Sequence, residues 1–458
     1  MGLLNKISQY KEYKSGVKHC TFNPDGPGVV RIHLIPPRFR LLKNSSYIVI
    51  LNGYYLLPLG YSWAIMLSAF MKETALFDGR EISEEDYSAI LDKSVRATAR
   101  AYPFISKEEI REDLLDMLEV IFAVARGEAV DLEIERMSIR SYSDNMYAPH
   151  RMDLMVSAMT DDLGRWKCNQ KCIFCYAAGE KLSSASELST ADWKRAIDNL
   201  KKAGVPMITF TGGEPTQRVD LCELIDYSRW FVTRLNTNGT LLTEELCDGL
   251  RKASLDSLQI TLYSHNPEIH NALVGAPLFE KTVQGIKNAV AAGLDVSINT
   301  PLCKKNSDYT ETLRFISSLG VRFVTVSGLI CTGMAENRHS EYDLNSDGLY
   351  EIVKSAKEFC GENQMEIDFT SPGLIAEERL QALNMNVPMC GACLSNMAIA
   401  PDGSVIPCQS WLSADASLGN ILTDSFKDIW ENERCKKLRK MTDIEARCCP
   451  FRKGEKNG

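Results

Sequence analysis

Between residues 151 and 371, short apolar runs alternate with amphipathic segments, and this alternation limits the fold more than any other feature of the chain. Runs at 154–158, 207–211, 231–236, 257–263, 296–300 and 323–326 have strand length and strand composition. Segments at 191–203, 221–229, 244–253, 280–292 and 311–319 carry apolar residues at helical spacing. Six strand–helix repeats imply an α/β region with a parallel sheet and right-handed crossovers. The period fits a closed or a partial barrel alike. In either, loops at the carboxyl ends of the strands carry the chemistry.

The flanks read differently. Residues 29–35 and 47–51 read as strands, and Asn52-Gly53 is a hairpin signal because both residues tolerate positive φ. Helices are expected at 61–74 and 83–100, the second opened by Ser83 with acidic residues in its first turn. A third amphipathic helix, 107–126, leads into a linker ending near Pro149. After residue 372 regular structure looks sparse: a strand at 397–400, a turn at Asp402-Gly403 and a helix at 425–440. That C-terminal region holds Cys390, Cys393, Cys408, Cys435, Cys448 and Cys449, six of the 15 cysteines in the 458-residue chain. A region so poor in core calls for staples, and metal ligation supplies them. With 24% charged residues, a net charge of −8 and scattered lysines and arginines, the chain lacks the clustered basic footprint of a nucleic-acid binder. Residues 47–70 are apolar but broken by Asn52-Gly53, Pro58 and Gly60, so a hairpin running into a helix is expected there rather than a membrane span. The first residues lack the apolar core of a signal peptide. Clustered cysteines in a cytoplasmic chain point to metal rather than to disulfides.

Cys168-Asn-Gln-Lys-Cys172-Ile-Phe-Cys175 follows the first strand of the repeat. Three thiolates within eight residues can wrap one metal site. Structural zinc takes four protein ligands, whereas a 4Fe–4S cluster on three thiolates keeps one iron open to an outside ligand. Gly212-Gly213-Glu214-Pro215 follows the second strand; its glycines allow close approach to the backbone, and Glu214 can accept from an ammonium group. Taken alone it is also an ordinary tight turn. The pair is far more specific, because both motifs fall on neighbouring strand ends of one sheet.

Together the motifs resemble the radical S-adenosylmethionine superfamily, with its CxxxCxΦC loop and GGEP-like segment. The resemblance covers most of 151–330 and implies a partial (β/α)6 barrel over 151–372. It also implies that Cys168, Cys172 and Cys175 bind three irons and that the methionine moiety of the cofactor chelates the fourth. Phe174 and Tyr176 would lie near the adenine. Gly212, Gly213, Glu214 and Pro215 would form the methionine-ammonium site. Thr237 and Asn238, in Asn236-Thr237-Asn238-Gly239, would lie beside the cofactor, with Thr261 and Asn299 as ribose candidates. For these last two an ordinary strand hydroxyl and a strand-end cap are equally good readings. A flavodoxin- or ferredoxin-type donor would supply electrons.

The C-terminal pattern Cys390-Gly-Ala-Cys393, Gly403-x-x-x-x-Cys408, Leu418-Gly-Asn-Ile421 and Ile429-Trp430 resembles the SPASM extension, which binds auxiliary iron–sulfur clusters. The chain departs from the full seven-cysteine pattern, since only Cys448 and Cys449 stand late. At least one auxiliary 4Fe–4S cluster is expected, on Cys390, Cys408 and one or both of Cys448 and Cys449, with Cys393 as candidate fourth ligand. Cys435, on a helix, reads as a packed thiol. A zinc ribbon is the rival.

The N-terminal segment, residues 1–105, resembles the winged-helix-like α+β peptide-recognition element of enzymes that modify ribosomal peptides; residues 106–150 would link it to the barrel and 373–458 would form the cluster domain. That order implies a precursor-peptide partner and thioether or carbon–carbon crosslinking. The rivals are a haem-pathway decarboxylase or sulfatase-maturase type of activity, and an iron–sulfur protein without turnover.

Overall fold

The computed structural model describes residues 16–22, 29–37, 46–77, 82–128, 138–143, 146–161, 163–337, 339–444 and 449. Contacts divide the chain into two compact units. The first holds residues 1–150 with 200–207 and 230–232; the second holds the rest.

The first unit is a four-stranded antiparallel sheet with helices. Its strands β1 (Lys18–Phe22), β2 (Val30–Ile35), β3 (Tyr47–Leu51) and β4 (Tyr55–Leu59) lie in sequence order. The hairpin forms at Asn52 and Gly53, with φ of 50° and 70°, and Tyr54 completes the turn before Leu51 pairs with Tyr55. The Asn52 side chain serves both neighbours: Oδ1 accepts from Arg31 N at 2.8 Å and Nδ2 donates to Ala125 O at 3.0 Å. Helices Tyr61–Thr74, Glu84–Ala101 and Lys107–Ala125 follow. Ser83 and Asp86 cap the second reciprocally. Ile32, Leu34, Val49 and Leu51 of the sheet pack with Phe70, Leu91 and Leu114 of the helices in one buried core. Strand β1 goes beyond what the sequence leads one to expect, being five residues with a mixed polar content, whereas β4 is the second arm of the expected hairpin and carries Pro58. Among the described residues no helix is long and apolar enough to cross a membrane.

The second unit is built on a parallel-stranded sheet. Strands β5 (Arg151–Ser157), β6 (Met207–Gly212), β7 (Val232–Thr237), β8 (Ser257–Thr261), β9 (Val296–Pro301), β10 (Phe323–Ser327) and β11 (Glu366–Phe369) stand side by side in chain order. Each step to the next neighbour passes through helical structure, as right-handed crossovers require. β11 is a seventh strand, four residues long, that the sequence reading lacks. The sheet does not close: β11 ends one edge, and β5 pairs on its outer side with β12 (Asn396–Ile399) in parallel. β13 (Ser404–Ile406) and β14 (Gly419–Asn420) extend that edge antiparallel, so the C-terminal region continues the barrel sheet.

Candidate active site

The carboxyl ends of β5 to β10 surround a cavity of about 470 Å³. The sequence places its polar lining by alternation. Along β7 the buried Val232, Thr233, Leu235 and Thr237 contrast with the partly accessible Arg234 and Asn236; along β8, Gln259 and Thr261 have the same contrast with Leu258 and Ile260. Residues two apart share a face, so Arg234, Asn236, Gln259, Thr261, Asn299, Thr325 and Ser327 all reach the lumen.

Cys168, Cys172 and Cys175 line the same cavity, with Phe174, Tyr176, Gly212, Gly213, Glu214, Thr237, Asn238, Thr261 and Asn299. Pro215 is the one cofactor candidate outside the lining; it opens the short turn Pro215–Gln217 instead. The three thiols are electrostatic neighbours, and burial pushes each of them up, Cys168 to about 12. Among the described residues no group of three or more His, Cys, Asp or Glu gathers around a point that one metal ion could occupy. Zinc needs such a point about 2.3 Å from every sulfur. A cluster gives each sulfur its own iron.

The cysteine loop is held by its neighbours. Lys171 N and Ile173 N donate to Val274 O and Leu273 O at 2.9 and 3.0 Å. Cys168 Sγ donates to Gly213 O at 3.3 Å. Glu187 accepts from Ala158 N at 2.7 Å and pairs with Lys167 and Arg218, which anchors the loop's first turn to the end of β5.

The GGE segment also has a local structural logic. Gly212 has φ of 140°, and a Cβ there would lie 2.4 Å from Ser157 O; at Gly213 a Cβ would meet Ala158 O at 2.8 Å. The glycines are required by the backbone of β5 pressed against them. Glu214 is buried, and its carboxylate accepts four hydrogen bonds. Oε1 takes Thr216 N at 3.0 Å, Thr216 Oγ1 at 2.5 Å and Thr237 Oγ1 at 2.6 Å, while Oε2 takes Asn238 N at 2.8 Å. Burial pushes Glu214 up, and those four bonds oppose it. Asn238 is engaged as well: Nδ2 donates to Asn169 Oδ1 at 2.7 Å, and Oδ1 accepts from Thr240 N at 3.0 Å. Cysteine loop, GGE turn and TNG turn are thus stitched into one polar network. Phe174 is buried edge-on against Tyr342 at 5.2 Å, and burial pushes the Tyr176 hydroxyl up beside Thr211. Thr261 and Asn299 both face the lumen, where Asn299 Oδ1 accepts from Thr325 Oγ1 at 3.0 Å.

In the C-terminal region, Cys390, Cys408 and Cys449 are neighbours, and burial pushes the Cys408 thiol up to about 12. Cys448 lies outside the described residues. Cys393, with φ of 58°, is buried against Cys435. Cys435 is lowered by its hydrogen bond with Cys393 and by Arg439, whose guanidinium stands 3.7 Å from both its sulfur and the Trp430 ring centroid. Cys393 is raised by the same pairing and by burial. The helical cysteine is the packed thiol its sequence position suggests, fully buried and also hydrogen-bonded to Cys393.

Residues 167–316 match the model of the radical SAM superfamily, and residues 390–450 match that of an iron–sulfur cluster-binding domain, SPASM. The AdoMet-dependent heme synthase of Methanosarcina barkeri is 32% identical over 62% of this chain and 86% of its own. The mycofactocin maturase MftC of Mycolicibacterium smegmatis is 27% identical over 58% of this chain and 68% of its own. Among solved structures, Streptococcus suis SuiB bound to the precursor peptide SuiA superposes with a TM-score of 0.58 at 15% identity, over 86% of this chain and 87% of its own. Native anSMEcpe with bound AdoMet gives a TM-score of 0.51 at 18% identity, over 64% of this chain and 83% of its own. This chain belongs to the radical SAM superfamily and carries a C-terminal SPASM domain. It is an enzyme of that superfamily, with a 4Fe–4S cluster and S-adenosylmethionine in the radical domain and auxiliary iron–sulfur clusters in the SPASM domain.

Proposed function

We propose that the enzyme matures a ribosomally synthesised precursor peptide, forming a thioether or carbon–carbon crosslink. Cys168, Cys172 and Cys175 would hold the radical cluster, beside the network of Glu214, Thr237 and Asn238. When bound and reduced, the cluster supplies the electron that cleaves S-adenosylmethionine to a 5′-deoxyadenosyl radical. The chain's own residues hold the cysteine loop in place, and the lumen walls orient the substrate and exclude water. Cys390, Cys408 and Cys449, with Cys448 or Cys393, would carry an auxiliary cluster. A flavodoxin- or ferredoxin-type protein would deliver electrons in the cytoplasm.

The observation that carries this reading is the first unit. A four-stranded antiparallel sheet with three helices precedes the radical domain, and its outer strands β1 and β4 suit capture of an added peptide strand. The likeness to SuiB spans 86% of the chain, too much to omit the 150-residue N-terminal stretch. The second reading, a haem-pathway decarboxylase, is favoured by the 32% identity to the heme synthase.

The test is anaerobic incubation of the reconstituted enzyme with a short peptide encoded beside its gene, read by mass spectrometry. Loss of two hydrogens from the core sequence, dependent on the leader, is expected. An unchanged peptide together with decarboxylation of an iron porphyrin would overturn the proposal in favour of the second reading.

A further inference from the structure

The lumen below the cofactor network has a polar floor that the proposed chemistry leaves unused. Arg234 stands on β7, three residues before Thr237, and faces the cavity. Its Nη2 donates to Ser297 Oγ at 3.3 Å, and this is its one side-chain acceptor among the described residues. Its Nε is buried and unpartnered. Two neighbours on the same wall share that condition: Thr209 Oγ1 on β6 and Asn236 Oδ1 on β7 are also buried without partners. The other guanidinium of the lining, Arg151, is already satisfied electrostatically, since its Nε lies 2.8 Å from the buried Asp153 carboxylate. Arg234 has no carboxylate at bonding distance, although Asp153 and Asp295 act on it from further away.

A cation whose Nε is buried and which has no anion at bonding distance is costly unless a ligand supplies one. Burial and Arg151 pull Arg234 down to about 10, which leaves it charged at neutral pH. Its fork of donors matches a carboxylate in two-pronged geometry, the Thr209 hydroxyl adds a donor beside it, and the open Asn236 Oδ1 can accept from an N–H of the same substrate residue.

We infer that Arg234 receives a carboxylate of the substrate, lowered into the lumen beneath the cofactor, so that the residue to be modified is an acidic residue or the chain end of the peptide. The inference rests on the proposal that the radical forms at this cavity. The methionine carboxylate of the cofactor is the rival occupant: three strand residues put the Arg234 Cα about 10 Å below the strand-end network, and the methionine present in the experiment below blocks the probes if it holds Arg234 itself.

The experiment uses cluster-reconstituted full-length enzyme loaded with 5′-deoxyadenosine and methionine. Calorimetry measures binding of N-acetylglutamate amide, N-acetylglutamine amide and N-acetylglycine. At least one carboxylate probe should bind, and the glutamine probe should bind about tenfold more weakly or worse, as expected for a lost charge-assisted bond. A preference for N-acetylglutamate amide assigns a side-chain carboxylate; a preference for N-acetylglycine assigns the chain end. Arg234→Gln should bring the carboxylate probes down to the level of the amide. Arg234→Lys, which keeps the charge and loses the fork, should fall between and serves if the glutamine variant does not fold. Equal binding of acid and amide, no binding of any probe, or a preference unchanged in both variants would overturn the inference. A parallel assay with S-adenosylmethionine and dithionite separates the two levels. Cluster-loaded protein that forms no 5′-deoxyadenosine sinks the radical assignment of this cavity, whereas product formed without any carboxylate preference sinks only the role of Arg234.

Discussion

Replacing Glu214 tests whether the strand-end network or a single cofactor contact governs S-adenosylmethionine binding. Glu214→Ala removes the acceptor of two backbone N–H groups, Thr216 N at 3.0 Å and Asn238 N at 2.8 Å, and of two hydroxyls. The hydroxyls can rotate to other acceptors; the N–H groups cannot. Each buried orphan costs about 1–3 kcal/mol, so the order of the two turns should fall by about 2–6 kcal/mol. Glu214→Gln keeps one oxygen and turns an amide donor against an existing donor, so it should lose roughly half as much. Cofactor affinity, measured by calorimetry on reconstituted protein, should fall in the order Glu, Gln, Ala, and the thermal unfolding midpoint should fall in the same order. A loss of affinity with no loss of stability would mean that Glu214 acts by direct contact alone. If both quantities held at their wild-type values in Glu214→Ala, the network reasoning would be refuted.

Three further outcomes are expected. The triple replacement of Cys168, Cys172 and Cys175 by Ala should abolish 5′-deoxyadenosine formation and remove about four irons per chain while auxiliary iron remains; a full product yield would sink the ligand assignment. Gly212→Ala should destabilise the protein by about 3 kcal/mol or more, because the new Cβ would sit 2.4 Å from Ser157 O at φ of 140°; an unchanged unfolding midpoint would show that β5 yields. Burial holds His33 at about 3 against an ordinary 6.5, with its Nε2 on Trp230 O at 3.0 Å. The unfolded chain therefore binds a proton below pH 6.5 that the folded chain refuses. Stability is intact above that pH and falls by about 1.4 kcal/mol per unit as pH drops toward the folded value. Denaturant titrations of His33→Gln should show a pH slope one proton shallower than wild type; equal slopes would count against the burial argument.

The barrel is legible in the sequence because its strands are buried and its helices amphipathic, which gives two periods that alternate cleanly. The short outer strands are not. β11 has four residues and alternates exposed with buried, and β14 has two, so neither offers a run that periodicity can detect. β12 is readable as a strand, but its parallel partner β5 lies more than two hundred residues away, and nothing local marks such a pairing. The motif residues can be picked out by identity, and the structure adds local roles that the sequence does not show. The glycines face the β5 backbone, and Asn238 and Glu214 serve the loops. The lumen residues Arg234 and Gln259 escape the sequence reading, although the signal is present as polar residues at period two inside strands otherwise fit for a core.

That period-two polarity ties fold to function. In a barrel interior filled for stability alone, inward positions are bulky and branched. Here Thr209, Arg234, Asn236, Gln259, Asn299 and Thr325 occupy them, and only part of the set is mutually satisfied, through Gln259 Nε2 to Thr325 Oγ1 at 3.0 Å and Thr325 Oγ1 to Asn299 Oδ1 at 3.0 Å. The satisfied chain lies on β8 to β10, while the unsatisfied atoms Thr209 Oγ1, Arg234 Nε and Asn236 Oδ1 lie on β6 and β7. Those are the two strands whose carboxyl ends carry the GGE and TNG turns. Hydrogen-bonding capacity left open on one wall, directly below the cofactor network, is what a substrate approaching a radical at short range would use for orientation. The β8–β10 wall, already bonded to itself, has less to offer a ligand and more to contribute to holding the barrel open.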